Sequence, residues 1–594
     1  MPKGYLCLLL HTHLPFVRHP EEDVFLEESW LFEAITETYI PLLDVMESWV
    51  RDGVRFRLAM SLTPTLVSML RDPLLQGRYL RHIERLVELS EKEIARTETD
   101  PALNRLARMY HDRFIHAREA FVDTYGRDLV SGFRRMQDLG HIEILASCAT
   151  HGFLPNLSVN QSSVRAQIRI GVDHYRAAFG RDARGFWLPE CGYYPGVDAL
   201  LKDAGVNYFI LDSHGVLNGE PKPHYSVYAP VFCPTGVAAF GRDWESSKQV
   251  WSAQEGFPGN PDYREFYRDI GFELDFDYVK PYIHPQGFRT NTGIKYWKVT
   301  GKTEHKELYI PDRARDTAAW HAGEFMYHRQ QQVERLAGQM DRKPLITAPY
   351  DAELFGHWWY EGPMWIDFLA RKIACDQDTI ALVTPSEYLA EYPVNQVVTP
   401  SASSWGWKGY NEYWLEGRND WVYPHLHAAG RRMAELARIS AATKTGDGAS
   451  RLLRKAANQA ARELVLAEAS DWPFIMRTGT MVPYADKRVK QHINRFARLY
   501  DDVKKGAIDA KWLAEVQRRD CIFADMECAR YYAEPTPPGR RATFRRTAKA
   551  KPRRAAVSAP TKRAARSGRS DSKTPRGSAT RGSSRRRARG CGAT

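Results

Sequence analysis

Residues 5–16 read YLCLLLHTHLPF. Six apolar positions follow one another without alternation and stop at His11, Thr12 and His13. A run this short and this continuous suits a strand buried on both faces, as in a parallel sheet covered by helical crossovers. Working outward, runs of the same kind recur at 56–60, 142–146, 185–188, 208–211, 345–348 and 380–383, each followed by polar residues. Repeated β-then-α units of this kind predict an α/β catalytic region over 1–400, either a barrel or a doubly wound sheet. Within it, the stretches QGRYLRHIERLVELSEKEIARTE and LARMYHDRFIHAREAFVDTY carry i, i+4 amphipathic spacing and predict a helical insertion at about 71–140. Residues 234–300 are rich in Gly, Pro and aromatics and predict a long loop region over a cleft.

Beyond residue 400 the strand pattern ends. Four helical patterns, near 425–445, 449–469, 485–506 and 510–531, predict an all-helical C-terminal domain over 401–534. Residues 535–594 collapse to Arg, Lys, Ala, Ser, Pro and Gly, a composition that predicts a disordered basic tail. The net charge of +12 belongs to that tail: residues 540–594 hold 19 Lys/Arg and one acid, leaving the rest with 65 bases against 71 acids. An acidic body argues against a dedicated nucleic-acid enzyme, while the tail is suited to bind polyanions non-specifically. No stretch approaches about 18 uninterrupted apolar residues, so no membrane span is expected. The N-terminal apolar run is too short for a signal peptide, which makes the cytoplasm the expected location. Eight scattered cysteines without a CxxC pair predict neither disulfides nor a zinc ribbon.

In parallel α/β folds, sites form at the C-terminal ends of the strands. Five such ends carry polar residues: His11 and His13; His151; Glu190 among Trp187, Tyr193 and Tyr194; Asp212 and His214; and Asp351, with Glu353, His357, Trp358 and Trp359 behind it. Two histidines at i and i+2 point to one side of an extended strand. They fit either a shared zinc or a pair of hydrogen-bond donors over a substrate, against the plain alternative of satisfied core residues. An acid among aromatics is desolvated and its pKa rises. Glu190 and Asp351 on two strand ends of one mouth supply the two carboxylates that glycoside cleavage requires. Farther on, Trp405, Trp407, Trp414 and Trp421 crowd a Gly-rich segment, and Asp471 stands beside Trp472. Indoles stack on the apolar faces of sugar rings, though core packing explains such residues equally well.

The ordered set HTHLPF, ATHGFLP, FWLPECGYYPG, APYDAELFGHWW and ASDWPF resembles the five signature regions of glycoside hydrolase family 57. With GFPGNPDYREFYRDIG and SSWGWKGYNEYWL, the likeness over about residues 4–530 is to that family's 1,4-α-glucan branching enzymes. The resemblance implies an incomplete seven-stranded (β/α) barrel with a helical insertion and an all-helical C-terminal domain. It implies Glu190 as nucleophile and Asp351 as general acid/base, with His11, His13 and His151 as metal-free polar neighbours. Arg264, Trp405, Trp414 and Asp471 would contact an α-glucan such as glycogen, amylose or starch. The activity implied is cleavage of an α-1,4 bond and transfer to a 6-hydroxyl by a retaining double displacement, with no cofactor. A 4-α-glucanotransferase or α-glucan hydrolase is the nearest alternative. A metal-dependent polysaccharide deacetylase or mannosidase, with zinc on His11 and His13, and a non-enzymatic glucan-binding scaffold or tail-borne nucleic-acid binder stand farther off. One feature departs from the family pattern. Its branching enzymes carry a tyrosine on a cleft loop, whereas this sequence has no Tyr between Tyr228 and Tyr263 and offers Phe240, Trp244, Trp251 and Phe257 there.

Overall fold

The structure is a computed structural model that describes residues 1–252, 255–443 and 446–533. The expected tail at 535–594 lies outside the described residues. Nine strands form one sheet: β1 (Gly4–Thr12), β2 (Leu58–Leu62), β3 (Ile142–Ser147), β4 (Gly185–Trp187), β5 (Tyr208–Leu211), β6 (Val231–Phe232), β7 (Ala238–Gly241), β8 (Leu345–Asp351) and β9 (Ile380–Leu382). Their order is β6-β7-β5-β4-β3-β2-β1-β8, with β9 against the first residues of β1. Every pair is parallel except β6 with β7. The path from β7 to β8 therefore contains seven parallel strands, the expected incomplete barrel. Among the described residues no ladder joins its two ends, although the Asp243 N–H just past β7 donates to the Thr347 carbonyl of β8 at 2.8 Å.

The sheet's two faces follow the period of two along each strand. Tyr5, Cys7 and Leu9 of β1 pack with Ala59, Leu145, Trp187, Tyr208, Ala238, Phe240 and Leu345 into one buried cluster, the barrel interior. Leu6, Leu8 and Leu10 belong to the larger cluster shared with the helices. His11 continues the inward set.

The seventh barrel strand is not the one read from sequence. Residues 380–383 were expected to supply it, and 234–300 were expected to be loop. Instead Ala238–Gly241 lies along β5, while among the described residues Ile380–Leu382 pairs only with Gly4–Leu6. The segment AAFG has weak strand propensity by itself, and its neighbour in the sheet makes it a strand.

The insertion between β2 and β3 consists of helices Pro64–Leu70, Pro73–Arg96, Pro101–Glu119 and Leu129–Asp138. Asp72 and Asp100 cap the two long ones, each accepting two backbone N–H groups ahead of a proline at the first helical position. The C-terminal helices are Val422–Ala442, Gly448–Ala467, Asp471–Thr478, Val482–Lys505, Ala510–Arg519 and Cys528–Tyr532. The last long helix stops at Arg519 rather than at 531, where Asp520 turns inward to the Arg495 guanidinium.

Near the strand ends, residues Ile35–Tyr39 form a π-helical turn that carries Glu37 and Tyr39. It presses on Gly356, whose φ is +106° and where a Cβ would stand 1.8 Å from the Glu37 carbonyl. Only glycine fits there.

Candidate active site

Glu190 follows β4 in the turn Pro189–Cys191 with φ 61° and ψ 22°. Cys191 (φ 51°) and His151 (φ 59°) share this left-handed conformation. For residues with a Cβ each such position costs about 1–2 kcal/mol. Three at one rim mark a backbone forced to aim its side chains. The Glu190 carboxylate accepts the Trp405 indole N–H on Oε2 at 2.8 Å and the Ser470 hydroxyl on Oε1 at 3.1 Å. Burial pushes its pKa up to about 7, the Asp471 charge adds to this, and the Trp405 and Ser470 hydrogen bonds and His13 oppose it.

Asp351 is the last residue of β8, in register with His11 on β1. Burial, then the charges of Glu353 and Glu190, hold its carboxyl well above the usual range, with Arg242 pulling the other way. Glu190 is thus among the charges that raise Asp351.

The histidines connect these groups. His11 sits on the Trp187 ring at 4.4 Å and contacts Ser61 Oγ through Nδ1 at 2.5 Å and His151 Nε2 through Nε2 at 3.0 Å. His151 Nδ1 meets Ser470 Oγ at 2.8 Å. Burial holds both rings well below the ordinary histidine pKa, so both are neutral; His13 adds to the effect on each, and His11 adds to it on His151. His13 differs. Burial lowers its pKa, but Asp471, with both oxygens 3.1 Å from Nε2, and the Glu190 and Glu353 charges raise it on balance. Its Nδ1 contacts Thr63 Oγ1 at 3.0 Å, and its backbone N–H donates to Glu353.

One ligand atom each of His13, His151 and Asp471 lies within 4.8 Å of the others. The donor geometry does not suit zinc. The His13 and His151 rings are stacked 3.8 Å apart at 17°, and His11 and His13 are nearly parallel at 6.0 Å, so their in-plane lone pairs run alongside one another instead of converging. A tetrahedral site needs convergent donors.

Two of the expected glucan contacts are placed elsewhere. Arg264 is buried, its side chain 1% exposed, with its guanidinium over the Tyr360 ring at 4.0 Å and beside Glu37 at 3.8 Å. Trp414 is 1% exposed and stacks on Phe153 at 4.3 Å. Neither side chain reaches a groove: the arginine is claimed by the acid on the π-helical turn, and the indole fills a core gap. Trp405 and Asp471 do stand at the site, bonded to Glu190 and to His13. Asp212 and His214, for which sequence offered no partner, are tied to Arg242 and to the Gly409 carbonyl.

Sequence reasoning missed Ser61, Ser470 and Arg242. Arg242 lies 5.7 Å from the Trp405 ring and bonds Asp212. It follows β7 directly, so it shares the strand-end signal that marked the other residues but was masked by the loop reading. Ser61, directly after the run 56–60, shares that signal as well, whereas Ser470 carries none.

Residues 7–400 match Glycosyl hydrolase family 57, and residues 425–531 match the C-terminal region described as 1,4-alpha-glucan branching enzyme. The chain belongs to glycosyl hydrolase family 57. A 1,4-alpha-glucan branching enzyme of Thermococcus kodakarensis is 32% identical over 90% of this chain and 79% of its own length. Among solved structures, an alpha-amylase of Thermotoga maritima is 43% identical with a TM-score of 0.83, covering 90% of this chain and all of that one. A family 57 branching enzyme of Pyrococcus horikoshii is 33% identical with a TM-score of 0.79, covering 90% of this chain and 98% of that one. The family 57 match covers the barrel with Glu190 and Asp351, and the C-terminal match covers the helices that bring Ser470 and Asp471 against it.

Proposed function

We propose that this family 57 protein is a 1,4-α-glucan branching enzyme. It cleaves an internal α-1,4 bond and transfers the segment to a 6-hydroxyl. The observation that carries the reading is the pair of raised carboxyls of Glu190 and Asp351, the Glu190 charge adding to the rise on Asp351, together with a C-terminal region of branching-enzyme type. Glu190, ionised and oriented by Trp405 and Ser470, attacks the anomeric carbon. Asp351, kept protonated by burial, gives its proton to the leaving oxygen. It then removes the proton from the acceptor 6-hydroxyl as the glucosyl–Glu190 ester breaks. Retention follows from the two inversions. Transfer over hydrolysis depends on a glucan rather than water reaching the ester.

The reading extends to glycogen or a starch-like polymer as substrate and to work in the cytoplasm. The free, scattered cysteines are in keeping with a reducing compartment. Among the described residues no helix is long and apolar enough to cross a membrane. A division into a barrel domain at 1–400 and a helical domain at 401–534, the latter ending one residue beyond the described part, belongs to the same proposal.

The test is incubation with linear amylose, with proton NMR counting new α-1,6 linkages against new reducing ends. Branches formed with few reducing ends support the proposal. Reducing ends without branches replace it by hydrolysis.

A further inference from the structure

Four contacts link Ser61 to Glu190 without a gap: Ser61 Oγ to His11 Nδ1 (2.5 Å), His11 Nε2 to His151 Nε2 (3.0 Å), His151 Nδ1 to Ser470 Oγ (2.8 Å), and Ser470 Oγ to Glu190 Oε1 (3.1 Å). Both histidines and both serines are buried. In a neutral imidazole one nitrogen donates and the other accepts, so each contact dictates the next.

An ionised Glu190 can only accept. Ser470 then spends its single proton on Glu190 and must accept from His151, which fixes the proton of His151 on Nδ1. His151 Nε2 is left to accept, so His11 carries its proton on Nε2, and the free Nδ1 of His11 accepts from Ser61. When Glu190 is protonated, one proton moves across each link: Ser470 gives its proton to Glu190 and takes the Nδ1 proton of His151, His151 Nε2 takes the Nε2 proton of His11, His11 Nδ1 takes the Ser61 hydroxyl proton, and a proton from solvent restores the Ser61 hydroxyl, which turns to accept. No net proton enters either histidine.

We propose that this chain is a two-state relay in which the charge of Glu190 and the tautomers of His11 and His151 change together, with Ser470 as the positioning residue that couples them. The inference rests on the reading of Glu190 as nucleophile only for its catalytic meaning. Burial favours neutral rings in both states, which keeps the relay in tautomers rather than charges. Other charged groups facing Glu190 are Asp471 and His13 beside it, Asp351 with Glu353 across the space, and Arg242 beyond Trp405. They set where the switch lies but are not links in the chain.

The test uses full-length protein labelled with 15N-histidine and no substrate. The expected result is that His151 is the Nδ1–H form and His11 the Nε2–H form at high pH. Both then exchange tautomer in one transition on acidification, and the transition is absent in Glu190→Gln. Ser470→Ala uncouples the histidines and moves the acid limb of the branching rate upward by about one pH unit through loss of a donor to the carboxylate, while Ser470→Thr restores both. The proposal is overturned if either ring is an imidazolium through the transition, if both carry the same tautomer at high pH, or if Ser470→Ala leaves the transition intact. Because the tautomers are read without turnover, failure of the branching assay and failure of the relay are separate results.

Discussion

His11 and Asp351 face each other in register on adjacent parallel strands, β1 and β8. One strand thus ends in the histidine that reaches toward Glu190, and the next ends in the partner acid. Glu190 follows β4, three strands away along the sheet, and its charge is among those that raise Asp351. The site is held by strand ends and is completed by Trp405 and Ser470 from beyond the barrel.

Glu190→Gln and Asp351→Asn should each lower the branching rate by about a thousandfold or more, since the proposed mechanism uses each group in both half-reactions. The wild-type rate against pH should be bell-shaped. Glu190 must be ionised, so the rate rises with pH through about 7. Asp351 must be protonated to act as acid, so the rate falls again as pH passes its own raised pKa. A rate flat between pH 5 and 8 contradicts these assignments.

The same shift has a stability consequence. The folded state raises the Glu190 pKa from 4.5 to about 7, so it binds the proton more tightly than the unfolded chain does. Its contribution is fully present below about pH 4.5 and is lost as pH climbs through about 7, to the extent of about 3 kcal/mol. Glu190→Gln should therefore raise the melting temperature at pH 8 and leave it nearly unchanged at pH 4.5, a contrast that calorimetry at the two pH values reads directly.

Of the four aromatics in the tyrosine-free loop region, Phe240 and Phe257 are buried and Trp244 is 67% exposed. Trp251, 38% exposed, places its ring edge-on to Trp405 at 6.4 Å. It is the aromatic of that set which the structure sets beside the Glu190 partner. Trp251→Ala should open the ester to water and increase the share of hydrolysis several-fold, counted as reducing ends per new branch, with a smaller effect on total bond cleavage.

Arg264→Met should act on stability rather than on substrate affinity. The guanidinium is buried with Glu37 and Tyr360, and removing it leaves the Glu37 charge with fewer partners, a loss of about 3–5 kcal/mol. A lower melting temperature with an unchanged KM for amylose is the expected pair of results. A raised KM at unchanged stability would return Arg264 to the glucan contacts.

Deleting residues 535–594 should leave the branching rate intact, because every side chain named at the site lies before them. The same deletion should abolish binding to heparin or DNA, which in the full chain weakens steeply as salt rises.

The sequence alone determined the barrel class and most of its strands. Six of the seven runs coincide with barrel strands because a strand buried on both faces must be apolar at every position, a signal no neighbour can erase. It also exposed Glu190, Asp351 and the three histidines, since polar residues at the ends of such runs stand out. Tertiary structure decided the rest. AAFG at 238–241 became a strand through its partner β5, and Arg242 came with it. Arg264 and Trp414 carry motifs that read as sugar contacts, yet their surroundings bury them. Ser61 and Ser470 are common residues whose meaning lies in a distance of about 3 Å to an imidazole, and the contact of Ser470 with His151, 319 positions apart, is fixed only when the C-terminal helices close on the barrel.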